Sequence, residues 1–341
     1  LYAMLIFLKY FINNPMGSWD GFRIWNIKAL FLSTNLPLWQ NMFSLPHFMS
    51  HNDYPLMLPS LTAGLWNYAG GENYAVNITI ALFFTFGLVY LLFQALEYFK
   101  SAKIAVVVTS VFMILDIFLV NGAAQCADIP LAYMFLSSIV CLFLYFRKEK
   151  FSYILLSEIF AALGAWTKNE GMMFFLIWLA VILGWMLYKK MYKKAGLTLL
   201  TAVVPVCFIA WFKYLAHTPN DLVAGFFILK TYHFAFDWSR YAIILKTFVS
   251  MAFTRFLLVF ALALLCIKGF RIKQINKTPF MLSCAILLLC TAGYFGVYLF
   301  SPHDITWLVQ NSMDRIILQI LPVFLFLFAV NLRIGKPDSR N

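Results

Sequence analysis

Ionisable side chains are scarce in this sequence, so those standing between its apolar runs are the first candidates for chemistry. The stretch from Gly17 to Lys28, GSWDGFRIWNIK, carries one acid, Asp20, two bases, Arg23 and Lys28, and two tryptophans. It reads as a catalytic loop. The connections NGAAQCADI (residues 121–129) and TKNE (residues 167–170) are very short, which holds Asp128, Lys168 and Glu170 at helix mouths. Lys168 and Glu170 there either neutralise one another or line a site for an anionic lipid head group, with the lysine on phosphate. Arg315 follows the loop SPHDITWLVQNSMD and precedes the apolar run ILQILPVFLFLF. It is placed to meet a phosphate, which suits its forked guanidinium, or else to snorkel or pair with Asp314.

His51 and Asp53, two residues apart, offer nitrogen and oxygen ligands to a divalent metal ion. Without a recognisable third ligand, a structural hydrogen bond is the competing reading. Asp116, Glu158 and Arg255 fall inside apolar runs and are expected to pack as polar groups or to pair with one another. No GxSxG, P-loop, HExxH or dinucleotide fingerprint stands in a suitable context.

The elements that must position these residues are membrane helices. Hydrophobic residues make up 63% of the 341 positions and charged residues 12%, far from the usage of soluble domains. A single all-α, polytopic membrane domain is therefore expected over residues 1–341, with residues 13–71 as an external catalytic loop. The net charge of +12 does not mark a nucleic-acid binder, because the bases recur in short clusters between apolar runs. The six cysteines form no CxxC pair and mostly sit in apolar runs as small hydrophobes.

About ten spans are expected. Residues 1–12 are too short to cross and read as a truncated first helix, a cleaved signal sequence being the rival. Nine runs follow, near residues 77–98, 103–120, 130–146, 152–166, 171–188, 195–216, 243–267, 280–300 and 315–332. Prolines 15, 37, 46, 55 and 59 break the first loop, in which residues 22–32 and 55–68 have the pattern of helices lying in the interface.

Alternate connections carry Lys100 and Lys103; Arg147, Lys148 and Lys150; Lys189, Lys190, Lys193 and Lys194; Lys268, Arg271, Lys273 and Lys277; then Arg333, Lys336 and Arg340. Together these are 16 of the 26 bases, so the positive-inside rule places them and both termini in the cytoplasm. The other face collects Asp20, Asp53, Glu72, Asp128, Glu170, Asp221, Asp237, Asp304 and Asp314, nine of the 14 acids, with all five histidines. Chemistry is expected on that outer face, although external loops also carry acids merely to avoid positive charge.

The order of motifs then becomes informative. An aspartate in the first external loop, a WNxKA-type amphipathic helix, a YPxxxP segment, ADIPLA, TKNEG, and NSxxR before a proline-containing final helix together resemble the GT-C membrane glycosyltransferases. The similarity runs from Gly17 to about Pro322 and is nearest to the bacterial protein-mannosyltransferase and aminoarabinose-to-lipid A transferase group. It implies inverting transfer of a sugar from a polyprenyl-phosphate donor to a glycan, lipid or protein acceptor, at the outer face of a bacterial inner membrane and among membrane lipids. Asp20 matches the family's catalytic aspartate. The resemblance implies substrate contacts from Asp53, Asp128, Glu170, Lys168 and Arg315, with the two bases facing the lipid phosphate. Asp53 stands about where relatives have an acidic metal ligand, but the lysine that follows it there is Tyr54 here, and Arg23 or Lys28 is left to take its place. A lipid-linked sugar flippase, or an oligosaccharide ligase or polymerase, is the alternative. A flippase would carry charges on broken helices near the midplane and two related halves.

Overall fold

The computed structural model describes residues 1–34, 36–46, 50–217, 230–257, 259, 261 and 276–332. His47, Asp221, the end of the 243–267 run, Lys268, Arg271, Lys273 and the C-terminal bases lie outside the described residues, and so does that part of the charge pattern.

The described elements are helical. α1 (Tyr2–Asn13) leads into a π-helical turn, Gly21–Asn26, which continues as α2 (Ile27–Thr34) and then a 3-10 segment, Leu36–Ser44. α3 (Met57–Tyr68) and α4 (Tyr74–Phe99) follow, then α5 (Ala102–Met113) and α6 (Asp116–Ala123). Next come α7 (Asp128–Lys148), α8 (Ser152–Thr167), α9 (Asn169–Tyr188) and α10 (Tyr192–Ala216). A 3-10 turn, Thr231–Phe236, precedes α11 (Trp238–Thr254), α12 (Lys277–Phe300) and α13 (Ile305–Val330). Several starts follow from capping chemistry: Asn73, Asp237 and Asp304 accept from the backbone N–H groups of Ala75, Ser239 and Trp307. Two of the acids expected on the outer face, Asp237 and Asp304, thus act as helix caps.

The chain is an integral membrane protein by its helices, and the described residues do not reach the expected count of about ten spans. Six described helices, α4, α7, α9, α10, α12 and α13, are long and apolar enough to cross a bilayer, and the α5–α6 pair would make a seventh. That pair, expected as one span over residues 103–120, is bent by 69°. α8 has 16 residues, about 24 Å of helix against a hydrocarbon core of about 30 Å. An apolar run marks burial in protein as readily as burial in lipid, which is why such runs overcount spans.

α7 lies at the centre, with Leu131, Phe135, Leu136, Ile139 and Leu142 fully enclosed. Lipid tails are as apolar as leucine, so close packing and interhelical hydrogen bonds must hold such helices together. Phe135 stacks on Phe174 at 4.0 Å, and Phe143 meets Phe326 edge-on at 5.0 Å. Ser157 of α8 donates to the Ser138 carbonyl of α7 at 2.7 Å and accepts from Trp178 of α9 at 2.9 Å. The α8–α9 hairpin closes tightly because Gly171 has no side chain: a Cβ there would stand 1.9 Å from the Gly164 carbonyl oxygen. This approach fixes Lys168 at the tip of the hairpin, in extended backbone between the two helices. Asp116 and Glu158 do not pair with each other or with Arg255. Asp116 accepts from Tyr2 Oη, and Glu158 accepts from Thr201 at 2.9 Å.

Candidate functional site

Four segments far apart in sequence meet at one end of α7. Asp20 stands at the start of the π-helical turn, Asp128 on the first turn of α7, Lys168 and Glu170 at the α8–α9 hairpin, and Arg315 ten residues into α13. Asp128 is fully buried and is the common partner. Its Oδ2 accepts from Arg315 Nε at 2.8 Å and faces Arg315 Nη2 at 2.7 Å, while its Oδ1 accepts from Lys168 Nζ at 3.1 Å and from Gln319 Nε2 at 2.6 Å. Arg315 Nη1 then reaches Asp20, and Lys168 Nζ lies 2.7 Å from Glu170 Oε1. Lys168 and Arg315, the two bases that the resemblance turns toward the lipid phosphate, share one carboxylate. Arg315's side chain bonds Asp20 and Asp128, and Asp314 only accepts from its backbone N–H.

The cluster holds three acids and two bases. Burial by itself would lower the Lys168 ammonium, but Asp128, Glu170 and Tyr54 more than offset it and hold it above its ordinary value, so this lysine is charged. Tyr54 stacks between Trp25, at 5.6 Å, and His51, at 4.8 Å, and presents its ring 5.7 Å from Lys168 Nζ. Tyr54 therefore supports a lysine held at the α8–α9 junction.

A second cluster lies beside the first. Asp53 is buried; it accepts from Asn169 Nδ2, and Lys213 of α10 bonds its carbonyl and stands 3.9 Å from its carboxylate. Lys213 also donates to Asn169 Oδ1 at 2.7 Å. The expected metal at His51 and Asp53 finds no third ligand: among the described residues no three His, Cys, Asp or Glu side chains gather to hold an ion. The His51 ring is engaged on Tyr54, and a lysine occupies the approach to Asp53.

Lys28 does not take the place of a phosphate-binding lysine. Its side chain is fully buried and donates to the His51 carbonyl at 2.7 Å and more weakly to the Tyr54 carbonyl at 3.5 Å, tying α2 to the segment before α3. Burial, opposed by Asp53 and reinforced by Lys213, pulls its ammonium down to about 7. Arg23 stays outside both clusters, over the Phe22 ring.

Gln319, Tyr294, Asn169 and Lys213 were not singled out from sequence. Tyr294 Oη donates to Gln319 Oε1 at 2.8 Å, which aims the Gln319 amide at Asp128. One signal was available: Gln319 and Lys213 are polar residues inside otherwise apolar runs, where such groups need partners. No protein-family model, curated protein or solved structure matches the chain.

Proposed function

We propose that this chain is an inverting glycosyltransferase that moves a sugar from a polyprenyl-phosphate donor to an acceptor hydroxyl at the outer face of a bacterial inner membrane. The observation that carries the reading is the convergence of Asp20, Lys168 and Arg315 around Asp128. Asp20 takes the acceptor's proton as its oxygen attacks the anomeric carbon. The bond from that carbon to the phosphate oxygen breaks, and the departing lipid phosphate keeps the electron pair against Arg315 and Lys168.

The charges say how the donor would fit. With three acids and two bases the cluster has no spare cation, so an incoming phosphate must displace a carboxylate. Asp128 is enclosed and holds both bases, whereas the Asp20 and Glu170 side chains are 28% and 18% exposed and have room to move. Exchange of phosphate for Asp20 on Arg315 delivers the donor and frees the base in one event.

The test is Asp20→Asn, which keeps the side chain's size and removes its basicity. Transfer from a polyprenyl-phosphate sugar in nanodiscs should fall by at least about 100-fold, with donor binding retained. In cells, lipid-linked sugar should accumulate when the gene is deleted and stay accumulated on complementation with Asp20→Asn. Near-normal turnover in this variant would sink the assignment.

The flippase reading has one observation in its favour: the α5–α6 break, with Asp116 at its far side, is the kind of interrupted helix that transporters use. Here α6 leads directly into the turn carrying Asp128, which equally serves an active site. Movement of a lipid-linked sugar across proteoliposomes without transfer would favour the transporter.

A further inference from the structure

We propose that Gln125, in the turn between α6 and α7, is the positioning residue that sets where Asp20 stands relative to Asp128 and Arg315; this role rests on the glycosyltransferase reading. Its primary amide holds both ends of the segment that carries Asp20. Gln125 Nε2 donates to the Pro15 carbonyl at 2.9 Å, on the entry side. Gln125 Oε1 accepts from Asn26 Nδ2 at 2.7 Å, on the exit side, and from Asn77 Nδ2 of α4 at 3.0 Å. Asn26 Nδ2 returns to the Met16 carbonyl at 2.9 Å, closing the loop on itself.

The backbone on either side of Gln125 repeats the attachment. Ser18 N–H donates to the Ala124 carbonyl at 3.0 Å, and Ser18 Oγ lies 3.4 Å from Cys126 Sγ. That carbonyl comes so near the Asp20 segment that a Cβ on Gly21 would stand 2.3 Å from it, and one on Gly17 2.6 Å. Gln125 itself adopts φ +59°, a left-handed conformation unusual for a residue with a side chain. Such conformations persist where surrounding contacts over-determine them, and three side-chain bonds do so here. Asp128 follows three residues later. The two carboxylates that grip Arg315 are therefore carried by segments registered through the Gln125 amide and its flanking backbone.

A base misplaced by about 1 Å loses on the order of 100-fold in rate while ground-state binding survives. Gln125→Ala should accordingly lower turnover at saturating donor by at least about 30-fold, with the half-saturating donor concentration changed by less than about threefold. Gln125→Glu keeps the acceptor and loses the donor to Pro15, so it tests the same link if the alanine variant does not fold. Asn77→Ala is the control. It removes a bond from the same amide without touching the Asp20 segment, and turnover should stay within about threefold of wild type.

A second measurement needs no substrate. Spin labels carried on p-acetylphenylalanine in place of Trp19 and Trp307, both exposed, report the separation of the Asp20 segment from α13 by pulsed electron resonance. The distance distribution should be single and narrow in the wild-type background and broadened or shifted in Gln125→Ala or Gln125→Glu, with Asn77→Ala unchanged. An unchanged distribution in a folded Gln125 variant overturns the proposal, as does equal loss of turnover in Asn77→Ala. If the wild-type protein transfers no sugar from its own membrane's lipid-linked pool, the glycosyltransferase reading fails, and the distances alone decide whether Gln125 positions Asp20.

Discussion

Asp128 and Asp20 are both carboxylates bound to Arg315, yet their surroundings assign them different duties. Asp128 has no exposed surface and serves Arg315, Lys168 and Gln319 at once. Asp128→Asn leaves the buried Lys168 and the half-buried Arg315 without their shared carboxylate and should cost about 3–5 kcal/mol, read as a lower unfolding temperature in detergent. Asp20 is partly solvated, and Asp20→Asn should change stability by less than about 1 kcal/mol while lowering transfer by at least about 100-fold. A stability loss as large as that of Asp128→Asn would argue that Asp20 is structural. Lys28 offers a pH test. Its folded value is lowered from 10.5 to about 7, so burial penalises the charged form. That penalty is absent above pH 10.5, grows as pH falls through the window, and is complete below about 7. Thermal stability should therefore rise between pH 7 and pH 10, and Lys28→Met should flatten the part of that rise due to this lysine. A slope unchanged by the substitution would refute the shift.

At the scale of elements, the α8–α9 hairpin shows how apolar packing places a charge. Gly171 allows α9 to close against the Gly164 carbonyl, and Lys168 sits at the junction. In Gly171→Ala the added methyl meets backbone, which cannot rotate away, so the helices must separate. The expected loss is about 1–3 kcal/mol or more, accompanied by reduced transfer as Lys168 shifts from Asp128. Gly184, farther along α9, has nothing within 4 Å of an added Cβ, and Gly184→Ala should be neutral or slightly stabilising. Equal effects of the two substitutions on the melting curve would contradict this account. The turn after α6 belongs to the same scale: α6 ends at Ala123, and the tight 124–127 turn that follows leads into Asp128, which shares Arg315 with Asp20.

At the scale of the molecule, the proposed orientation puts the Asp20 end of α7 outside and the basic connections inside. A cysteine introduced beside Lys190 should resist a membrane-impermeant maleimide added to intact cells, and one beside Ser18 should react. Labelling in the opposite sense would turn the protein over and remove the external site.

What the sequence determined by itself was the class of the protein and the cast of its site. Long apolar runs leave a chain no stable home but lipid or a core shielded by lipid-facing helices, and short connections confine Asp128, Lys168 and Glu170 to helix mouths, whereas Arg315, read as following a loop, sits ten residues into α13. Those are local consequences of hydropathy and chain length. The break in the 103–120 run was not local, since the bent α5–α6 pair read like one span until its angle was known. The pairing of residues was not local either. Asp20 and Arg315 lie almost 300 positions apart, and only helix packing around α7 could bring both to Asp128 or turn Lys28 inward to backbone carbonyls. Gln125 was invisible for the same reason: a polar residue in a turn is ordinary until tertiary structure supplies three partners for its amide.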